Sequence, residues 1–575
     1  MIKVALAQMD LCVGDIAGNT SRIIEAVARA EDAGAQLLAL PELAITGYPP
    51  EDLLLKRSFL AANLKALDEI ATASGEALVV VGFVDADADT LYNAAGICGH
   101  GRLIATYRKQ LLPNDGVFDE RRYFSSGSDH VLLDTPEGVI GVCVCEDAWS
   151  SDGPLITQGD AGAQMVVNIN ASPFHKNKME EREQMLCERA RRAAASIAYV
   201  NMVGGQDELV FDGGSAVFDA QGEVIWRGPQ FVESFTVVDV PLGEQGGAAP
   251  SETARITRID VSLRRSNPGA QLPSAEHLPD AQEVYAALTL SLRDYVRKNG
   301  FSKVVIGLSG GIDSALTAVI AADALGPENV LGVTMPSPFS SGGSVDDSAE
   351  LAANLGIEML TIPIAAPYDS YLERLNDVFG STEMSLAEEN LQARIRGTFL
   401  MAISNRYGHL VVATGNKSEM ACGYATLYGD MAGGFALLKD VFKTEVYELS
   451  RFRNESGVVI PLEIIDKAPS AELRPDQRDS DSLPPYEVLD AILEAYIEKD
   501  AGMADIIQAG HDPEVVGHVI AMVDRAEYKR RQAAPGPKVT TKAFGRDRRL
   551  PVTNRWKEIP DASLPARAVG VEGVE

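Results

Sequence analysis

The sequence contains two regions in which strand-like apolar runs alternate with stretches of helical periodicity. Strands that alternate with helices predict parallel βαβ units, which restricts each region to the α/β class of folds. The segment between the regions, 242–280, is rich in Gly, Pro, Ser and Ala, a composition typical of a linker. With 575 residues, the chain is long enough for two or more hydrophobic cores. The alternative is that 242–280 is a long surface loop within one domain.

These patterns predict four parts of the chain: a first domain over 1–245, a linker over 246–279, a second domain over 280–560 and a flexible tail over 561–575. In the first domain, strands are expected at 2–8, 36–40, 77–84, 139–145 and 165–170, a helix at 178–196 and a hairpin at 215–227. The helix after the first strand is expected to begin at Asn19 or Thr20, whose side chains suit an N-cap. In the second domain, strands are expected at 303–308, 329–334, 358–364 and 410–414, and helices at 313–325 and 344–355.

The composition argues against several functional classes. The net charge of -31 opposes binding to nucleic acid and to anionic membranes, so we expect no partner of either kind. The six cysteines include no CxxC pair and the seven histidines no HxH or HExxH pattern, which argues against a redox or zinc site. The start of the chain lacks the features of a signal peptide, and no apolar run approaches the roughly 18 residues of a membrane span. We therefore expect a cytoplasmic enzyme with reduced thiols.

Three residues with reactive side chains each follow a strand-like run in the first region. Glu42 follows LLALP, Lys109 follows LIATYR, and Cys145 ends GVIGVCVC. Strand ends of an α/β fold can converge on one cleft, where Glu would accept the thiol proton and Lys would stabilise the thiolate and an oxyanion. Such a group suits attack on the carbon of an amide or a nitrile. The alternative for a cysteine in an apolar strand is plain packing, which we expect for Cys143.

The segments LALPELAITGYPPEDLL, RKQLLPNDGVFDERRYF and VCVCEDAW resemble, in this order, the three signature regions of the nitrilase, or carbon–nitrogen hydrolase, superfamily. The resemblance covers roughly residues 1–240 and implies an αββα sandwich that hydrolyses C–N bonds through a thioester. It also implies that Glu42 is the general base, Lys109 the stabiliser of the oxyanion and Cys145 the nucleophile.

The glutaminase members of this superfamily also bind the amino-acid head of glutamine. By position, the resemblance assigns this binding to Glu146, Trp149, Ser172 and Lys178. The chain departs from the family at Asp115, because such members often carry a Tyr shortly after LPN. Either Asp115 takes the α-ammonium group of glutamine, or it points to solvent and Phe118 or Tyr123 fills the gap.

The second region contains GLSGGIDS at 307–314, a Gly-rich loop between a strand and a helix. Glycines allow the backbone to approach an anion closely, and the amide groups at the start of the helix can hold it. No G-K-[ST] follows, so the loop is not a Walker A motif. SGGxDS after VVIGL resembles the fingerprint of N-type ATP pyrophosphatases, which split ATP between its α and β phosphates. The resemblance implies a Rossmann-like parallel α/β domain with ATP contacts from Gly307, Leu308, Ser309, Gly310, Gly311, Ile312, Asp313 and Ser314.

A second segment of this region, ATGNKSEMACGYATLYGD at 413–430, follows the strand-like run HLVV, and KDVFKTEVYEL comes further on. By position, Thr414 and Lys443 would contact ATP. Asp313 and Glu419 would hold Mg²⁺, which prefers carboxylate and phosphate oxygens. The alternative for each residue taken alone is a capping or solvated side chain.

These segments resemble the NAD synthetases, as do AEENLQARIRG at 387–397, KAPSAELRPDQRDSDSLPPY at 467–486 and AEYKRRQAAPG at 526–536. The resemblance implies that nicotinic acid adenine dinucleotide, the deamidated form of NAD, is held by Asn390, Arg394, Glu419 and Lys529. It also makes Ser470 a candidate phosphate contact.

Over about 1–560, the chain resembles the family of glutamine-dependent NAD synthetases. The resemblance implies a homo-oligomeric ligase that forms NAD, AMP, pyrophosphate and glutamate from glutamine, ATP and nicotinic acid adenine dinucleotide. Because ammonium is not a nucleophile, we expect a protected internal path for ammonia between the two sites. GMP and asparagine synthetases also join a pyrophosphatase domain to a glutaminase, but their glutaminases have other folds. The remaining alternative is a second region that senses nucleotide and regulates an amidase.

Overall fold

The computed structural model describes residues 1–88, 90–244, 254–267, 269, 273–380, 384–475 and 477–558. Its contacts group into two compact units. The first comprises Met1–Gln206 and Val210–Leu278, and the second comprises Asp207–Leu209 and the described residues from Pro279 onward. The predicted tail over 561–575, and the part of the predicted linker over 246–253, lie outside the described residues.

The first unit consists of strands with a few helices between them. Its strands are β1 (Ile2–Gln8), β2 (Leu37–Ala39), β3 (Leu78–Asp87), β4 (Thr90–Gly99), β5 (Arg102–Arg108), β6 (Asp129–Asp134), β7 (Val139–Val144), β8 (Met165–Asn170), β9 (Ser196–Asn201), β10 (Val203–Gln206), β11 (Leu209–Asp212), β12 (Ala216–Phe218), β13 (Val224–Arg227), β14 (Ser234–Val240) and β15 (Arg255–Asp260). Its helices are α1 (Ile16–Asp32), α2 (Arg57–Ala73), α3 (Pro154–Asp160) and α4 (Lys178–Ala193). The strands expected from the apolar runs, and the hairpin formed by β12 and β13, are confirmed.

Two mixed sheets form the centre of this unit. The first has the strand order β14-β1-β2-β3-β4-β5 and the second has the order β13-β12-β9-β8-β7-β6-β15. In each sheet a parallel trio, β1-β2-β3 or β7-β8-β9, is extended on both sides by antiparallel neighbours. Neighbouring parallel strands must be joined by a crossover connection, which is usually a helix. Successive strands of each trio are therefore separated in the chain by a helix.

The side chains of β1 show how four layers form. Val4 and Leu6 lie in one buried cluster with residues of the second sheet such as Ile169. The alternate residue Ala5 lies in another cluster, with α1 and α2. Successive strand residues point to opposite faces, so β1 is buried between the second sheet and the helices. The helices α3 and α4 cover the second sheet in the same way, which confirms the αββα sandwich.

The first helix begins earlier than the sequence indicates. Its N-cap is Asp15, whose carboxylate accepts a hydrogen bond from the Gly18 amide at 3.0 Å. Asn19 and Thr20, the expected N-caps, are buried inside the helix. The Asn19 amide donates to the carbonyl oxygens of Cys12 and Ile45 at 2.8 and 3.1 Å, so its polar side chain bonds to neighbouring loops rather than to a helix end.

Part of the predicted linker is a strand of the first unit. Arg255–Asp260 (β15) pairs in parallel with β6 along its whole length. Its sequence, RITRID, carries only two apolar residues. Such a composition suits a strand at the edge of a sheet, where much of the surface is exposed. The salt bridge from Arg258 to Asp134 at 2.8 Å joins the paired strands through exposed side chains.

The second unit contains a smaller sheet and more helices. Its strands are β16 (Val304–Leu308), β17 (Val330–Thr334), β18 (Glu358–Thr361), β19 (Leu410–Ala413) and β20 (Phe435–Ala436). Its helices are α5 (Asp280–Lys298), α6 (Ile312–Leu325), α7 (Gly342–Leu355), α8 (Ala365–Phe379), α9 (Leu386–Tyr407), α10 (Lys417–Cys422), α11 (Lys443–Glu455), α12 (Leu462–Asp466), α13 (Tyr486–Leu493), α14 (Met503–Gln508), α15 (Pro513–Arg525) and α16 (Glu527–Arg530).

All strand pairs of this sheet are parallel, in the order β18-β17-β16-β19-β20. The chain enters at the central β16, builds outward to β18 and then returns to β19 on the other side. This confirms the Rossmann-like parallel α/β arrangement predicted for the second region, and ligands bind such sheets where the strand order reverses, at the carboxyl ends of the strands. Here that place is the end of β16 and β19. A separate helical cluster packs Leu489 of α13 against Val519 of α15.

Among the described residues, no helix is both long enough and apolar enough to cross a lipid bilayer.

Two candidate active sites

The first candidate site lies where three strands of the first unit end. Glu42 follows β2, Lys109 directly follows β5, and Cys145 directly follows β7. All three are buried, with at most 3% of their surface exposed. The Lys109 ammonium donates to Glu42 Oε1 at 2.8 Å. The charges of Glu42 and Lys109 both act on the Cys145 thiol, so the structure brings the three predicted residues together.

Glu42 is held in one orientation by three donors. Besides Lys109, the Asn93 amide donates to Oε1 at 2.7 Å, and the Ala171 amide donates to Oε2 at 3.0 Å. A carboxylate whose two oxygens are both fixed can accept a proton only along the directions that remain free. Cys145 has a φ of 43°, the left-handed region, at the turn that ends β7. A strained backbone of this kind is found where a fold fixes the direction of a functional side chain.

A fourth residue of this site, Glu120, was not predicted from the sequence. Its two carboxylate oxygens each accept a hydrogen bond from Lys109 Nζ at 2.9 Å, and its Oε1 accepts one from Tyr48 at 3.0 Å. Glu120 lies within a segment that the family resemblance covers, but nothing in its spacing from Lys109 distinguishes it from the acidic residues beside it. Only the fold brings it to the ammonium group.

Burial and charge act against each other in this group. Burial raises the pKa of Glu120 to about 7, although Lys109 opposes the shift. Burial alone would lower the pKa of the Lys109 ammonium, but Glu120 and Glu42 outweigh it and raise that pKa well above its usual value. Burial also raises the pKa of the Cys145 thiol well above its usual value, and the charge of Glu42 adds to this. The thiol therefore stays protonated at rest, and its proton must pass to a base as the sulfur reacts.

The residues predicted to bind glutamine lie around this group. Glu146 and Trp149 belong to the short turn that Cys145 begins, and both are half-buried. The Lys178 ammonium lies 4.0 Å from the centroid of the Trp149 ring, and burial lowers its pKa. Ser172 follows the Ala171 amide that binds Glu42, and its own backbone exchanges hydrogen bonds with the Asn201 side chain at 2.9 and 3.3 Å.

Asp115, the departure from the family pattern, is exposed. Its charge nevertheless contributes to the raised pKa of Glu146, after burial as the main cause. Tyr123 donates to the Asp52 carboxylate at 2.7 Å, and Phe118 is half-buried.

The second candidate site is a cavity of about 270 Å³ at the carboxyl ends of β16, β17 and β19. All eight residues of the loop 307–314 line it, as do Thr414, Glu419 and Lys443. Gly310 has a φ of 74°, and a Cβ there would lie 2.4 Å from the Ser344 carbonyl oxygen. The loop therefore requires glycine at this position, and its backbone is open to the cavity.

One lysine and two carboxylates form the polar floor of the cavity. Lys443 contacts Asp313 directly, and its Nζ lies 4.0 Å from Glu419 Oε1. Asn416 donates to Asp313 Oδ1 at 2.8 Å and accepts from the Glu419 amide at 2.9 Å. Burial raises the pKa of Glu419 well above its usual value, and the charge of Asp313 raises it further.

This pair of carboxylates fits a divalent cation. The mutual repulsion of Asp313 and Glu419 is what a doubly charged cation would relieve, and carboxylate oxygens are the ligands that Mg²⁺ prefers. In the part of the chain that the structure describes, no cluster of three or more His, Cys, Asp or Glu residues could hold a metal. Two protein ligands supplemented by phosphate oxygens is the usual arrangement for Mg²⁺ with a nucleotide.

Three residues predicted to hold the dinucleotide do not line this cavity. Asn390, Arg394 and Lys529 instead bind one loop, 423–427. Asn390 accepts from the Thr426 hydroxyl at 2.8 Å, and Lys529 Nζ donates to two carbonyl oxygens of the loop at 2.7 and 2.8 Å. Ser470, the candidate phosphate contact, does line the cavity. The sequence did not predict five further charged residues of the lining, which are Arg396, Asp430, Lys467, Glu472 and Asp479.

Two family models match the chain, and each of them covers one of the two candidate sites. The model of the carbon–nitrogen hydrolases matches residues 3–249, and the model of NAD synthase matches residues 284–533. Fold and sites therefore define a chain that joins a carbon–nitrogen hydrolase domain to an NAD synthase domain.

Curated relatives match the whole chain. The glutamine-dependent NAD(+) synthetase of Thermotoga maritima is 49% identical, over 97% of this chain and 99% of the relative. That of Aquifex aeolicus is 44% identical, over 97% of this chain and 100% of the relative. A solved glutamine-dependent NAD+ synthetase from Acinetobacter baumannii, in complex with ADP, has a TM-score of 0.74 and 42% identity, and covers 97% of this chain and 99% of that one. The chain belongs to the family of glutamine-dependent NAD(+) synthetases, which are carbon–nitrogen ligases.

Proposed function

We propose that this chain hydrolyses the side-chain amide of glutamine at the first site and uses the ammonia at the second site to convert nicotinic acid adenine dinucleotide into NAD. The observation that carries the proposal is the presence, in one chain, of a buried Glu42–Lys109–Cys145 group and of a Gly-rich cavity that contains Asp313. The full-length relatives named above support it.

At the first site, Cys145 Sγ attacks the amide carbon while its proton passes to Glu42. Lys109 stabilises the negative charge on the tetrahedral oxygen. The C–N bond then breaks, Glu42 returns the proton to the leaving nitrogen, and ammonia departs. Water attacks the resulting thioester and releases glutamate and the thiol.

The amino-acid head of glutamine is bound by Glu146, Trp149, Ser172 and Lys178. The carboxylate of Glu146 suits the α-ammonium group, and the Lys178 ammonium suits the α-carboxylate. The half-buried position of both charges, with Lys178 over the Trp149 ring, supports this assignment.

At the second site, the amide groups of the loop 307–314 bind the phosphates of ATP, together with Thr414 and Lys443. Asp313 and Glu419 would hold Mg²⁺, which supplies positive charge against the phosphates. The nicotinate carboxylate attacks the α-phosphorus, and pyrophosphate leaves. Ammonia then attacks the activated carboxyl carbon, the C–O bond to AMP breaks, and the nitrogen releases one proton to water to give the carboxamide.

The dinucleotide is held by Asn390, Arg394, Glu419 and Lys529. In support, three of these residues bind the same loop, 423–427, which follows the helix that carries Glu419. Ammonia must stay unprotonated on its way, so we also propose a protected path within a cytoplasmic homo-oligomer. The proposed domains, 1–245 and 280–560, are supported by the extents of the two family models.

Product analysis with the purified chain tests the proposal. With glutamine, ATP, Mg²⁺ and nicotinic acid adenine dinucleotide, one NAD should form for each pyrophosphate, AMP and glutamate released. A nucleotide sensor would bind ATP without releasing pyrophosphate. If xanthosine monophosphate or aspartate were amidated instead of the dinucleotide, the proposed acceptor would be wrong.

A further inference from the structure

The cavity of the second unit is lined by more acidic than basic side chains. Its acidic residues are Asp313, Glu419, Asp430, Glu472 and Asp479, and its basic residues are Arg396, Lys443 and Lys467. Nucleotides are anions, so each cation of this lining matters for binding them. Two of the three are already paired: Lys443 contacts Asp313, and Lys467 lies 3.3 Å from Glu472.

Arg396 is the cation that has no carboxylate partner. Its Nε donates to the Met335 carbonyl oxygen at 3.0 Å, and no carboxylate of the described residues lies within 4.0 Å of its guanidinium. Glu472 and Asp430 influence it only through longer-range charge. Its two Nη groups, on the other edge of the guanidinium, have no hydrogen-bond acceptor among the residues that the structure describes.

Arg396 lies close to the start of the Gly-rich loop. Met335, whose carbonyl it binds, is the residue after β17, and β17 pairs with β16 so that Thr334 lies beside Leu308. Leu400, one helical turn further along α9, approaches Gly307 at the beginning of the loop. Lys443 contacts Asp313, which belongs to α6 at the other end of the loop.

Arg396 keeps its positive charge although that charge lowers the stability of the folded chain. Burial lowers the pKa of Arg396 to about 10, which leaves the guanidinium charged near neutral pH. A half-buried cation without a counter-ion destabilises the folded chain unless a ligand supplies negative charge. A guanidinium whose Nε is occupied still presents two parallel N–H donors, which match two oxygens of a phosphate group.

We propose that Arg396 binds the α-phosphate of the nucleotide and keeps it bound after pyrophosphate has left. This inference rests on the proposed function, because it concerns the ATP bound in the same cavity. When ammonia forms the C–N bond, the C–O bond to AMP breaks and its electron pair passes to a phosphate oxygen. Arg396 stabilises the negative charge that develops there.

The binding of three probes to the full chain, in the presence of Mg²⁺, tests this contact. AMP carries only the α-phosphate, adenosine carries none, and pyrophosphate represents the leaving group. In Arg396→Met, the Kd of AMP should rise at least about tenfold, whereas the values for adenosine and pyrophosphate should stay within about twofold. Arg396→Lys keeps the charge but loses the paired donors, so it should fall between the native chain and the Met variant. Arg406→Met, an exposed change on the same helix, is the matched control.

Each other outcome overturns the inference. An unchanged Kd for AMP would exclude the contact, and equal losses for AMP and adenosine would mean that Arg396 binds the base or the sugar. A loss for pyrophosphate would move the contact to the leaving group. If Arg396→Met does not fold, the Kd of AMP for Arg396→Lys is compared with that of the native chain, and this comparison tests the contact. If the native chain bound none of the probes, the proposed nucleotide site itself would fail.

Discussion

The buried carboxylate of Glu120 makes the stability of the first unit depend on pH. Its pKa is about 7 in the folded chain, against 4.5 for an ordinary glutamate, and burial is the main cause. Between these values the folded chain keeps a proton that the unfolded chain has lost. Stability therefore falls as the pH rises through this window and levels off above about pH 7.

The substitution Glu120→Gln removes this dependence, because the amide has the shape of the protonated acid but does not titrate. At about 1.4 kcal/mol for each pH unit, the window from 4.5 to about 7 corresponds to a loss of roughly 3 kcal/mol in the native chain. The variant should thus gain up to about 3 kcal/mol relative to the native chain between about pH 5 and about pH 8. At the acidic end the variant should be no more stable than the native chain. Lys109 donates to both oxygens of Glu120, and the glutamine amide has only one oxygen that can accept such a hydrogen bond.

Urea unfolding at the two pH values, followed for the transition of the first unit, measures this difference. Glu137→Gln, an exposed change in the same unit, is the control and should show no such gain. A stability difference between Glu120→Gln and the native chain that does not change with pH would refute the reasoning. A variant that loses stability relative to the native chain as the pH rises would mean that folding lowers the pKa of Glu120 instead of raising it.

Three further predictions concern the two sites. Cys145→Ala should abolish NAD formation from glutamine but leave formation from added ammonia, and an unchanged glutamine-dependent rate in a coupled NAD assay would show that the nucleophile is wrong. Asp313→Ala should abolish both rates, because the residue contacts Lys443 within the nucleotide cavity; survival of the ammonia-dependent rate would contradict its assignment. Asp490→Asn should raise the KM for ATP severalfold. The Asp490 carboxylate accepts hydrogen bonds from the Thr444 amide at 2.9 Å and from the Ser418 hydroxyl at 2.5 Å, and so joins the helices that carry Lys443 and Glu419. An unchanged KM in initial-rate measurements would argue against this positioning.

The strands that the sequence predicted in both units could be found because each is a short apolar run bounded by turn residues. The errors occurred where local chemistry is ambiguous. Asn19 has the side chain of an N-cap, but Asp15 lies nearer the true helix start and Asn19 is needed to bond neighbouring loops. The edge strand Arg255–Asp260 lacks apolar periodicity, so its polar sequence resembled a linker.

The candidate sites were predicted as far as their residues belong to compact motifs. The loop 307–314 is continuous in the sequence, and Glu42, Lys109 and Cys145 each follow a recognisable strand. Glu120 and Arg396 could not be found in this way, because their importance arises from what the fold brings beside them. A glutamate and an arginine among other charged residues carry no pattern of their own.

The central claim is that the nitrogen of glutamine becomes the carboxamide nitrogen of NAD within one protein. The most direct measurement supplies glutamine labelled with ¹⁵N at the amide, an excess of unlabelled ammonium, ATP, Mg²⁺ and nicotinic acid adenine dinucleotide, and determines the mass of the NAD produced. The account predicts NAD that carries the heavy nitrogen in nearly every molecule. NAD labelled only in proportion to the mixed ammonia pool would contradict a protected transfer, and the absence of NAD would contradict the proposed reaction.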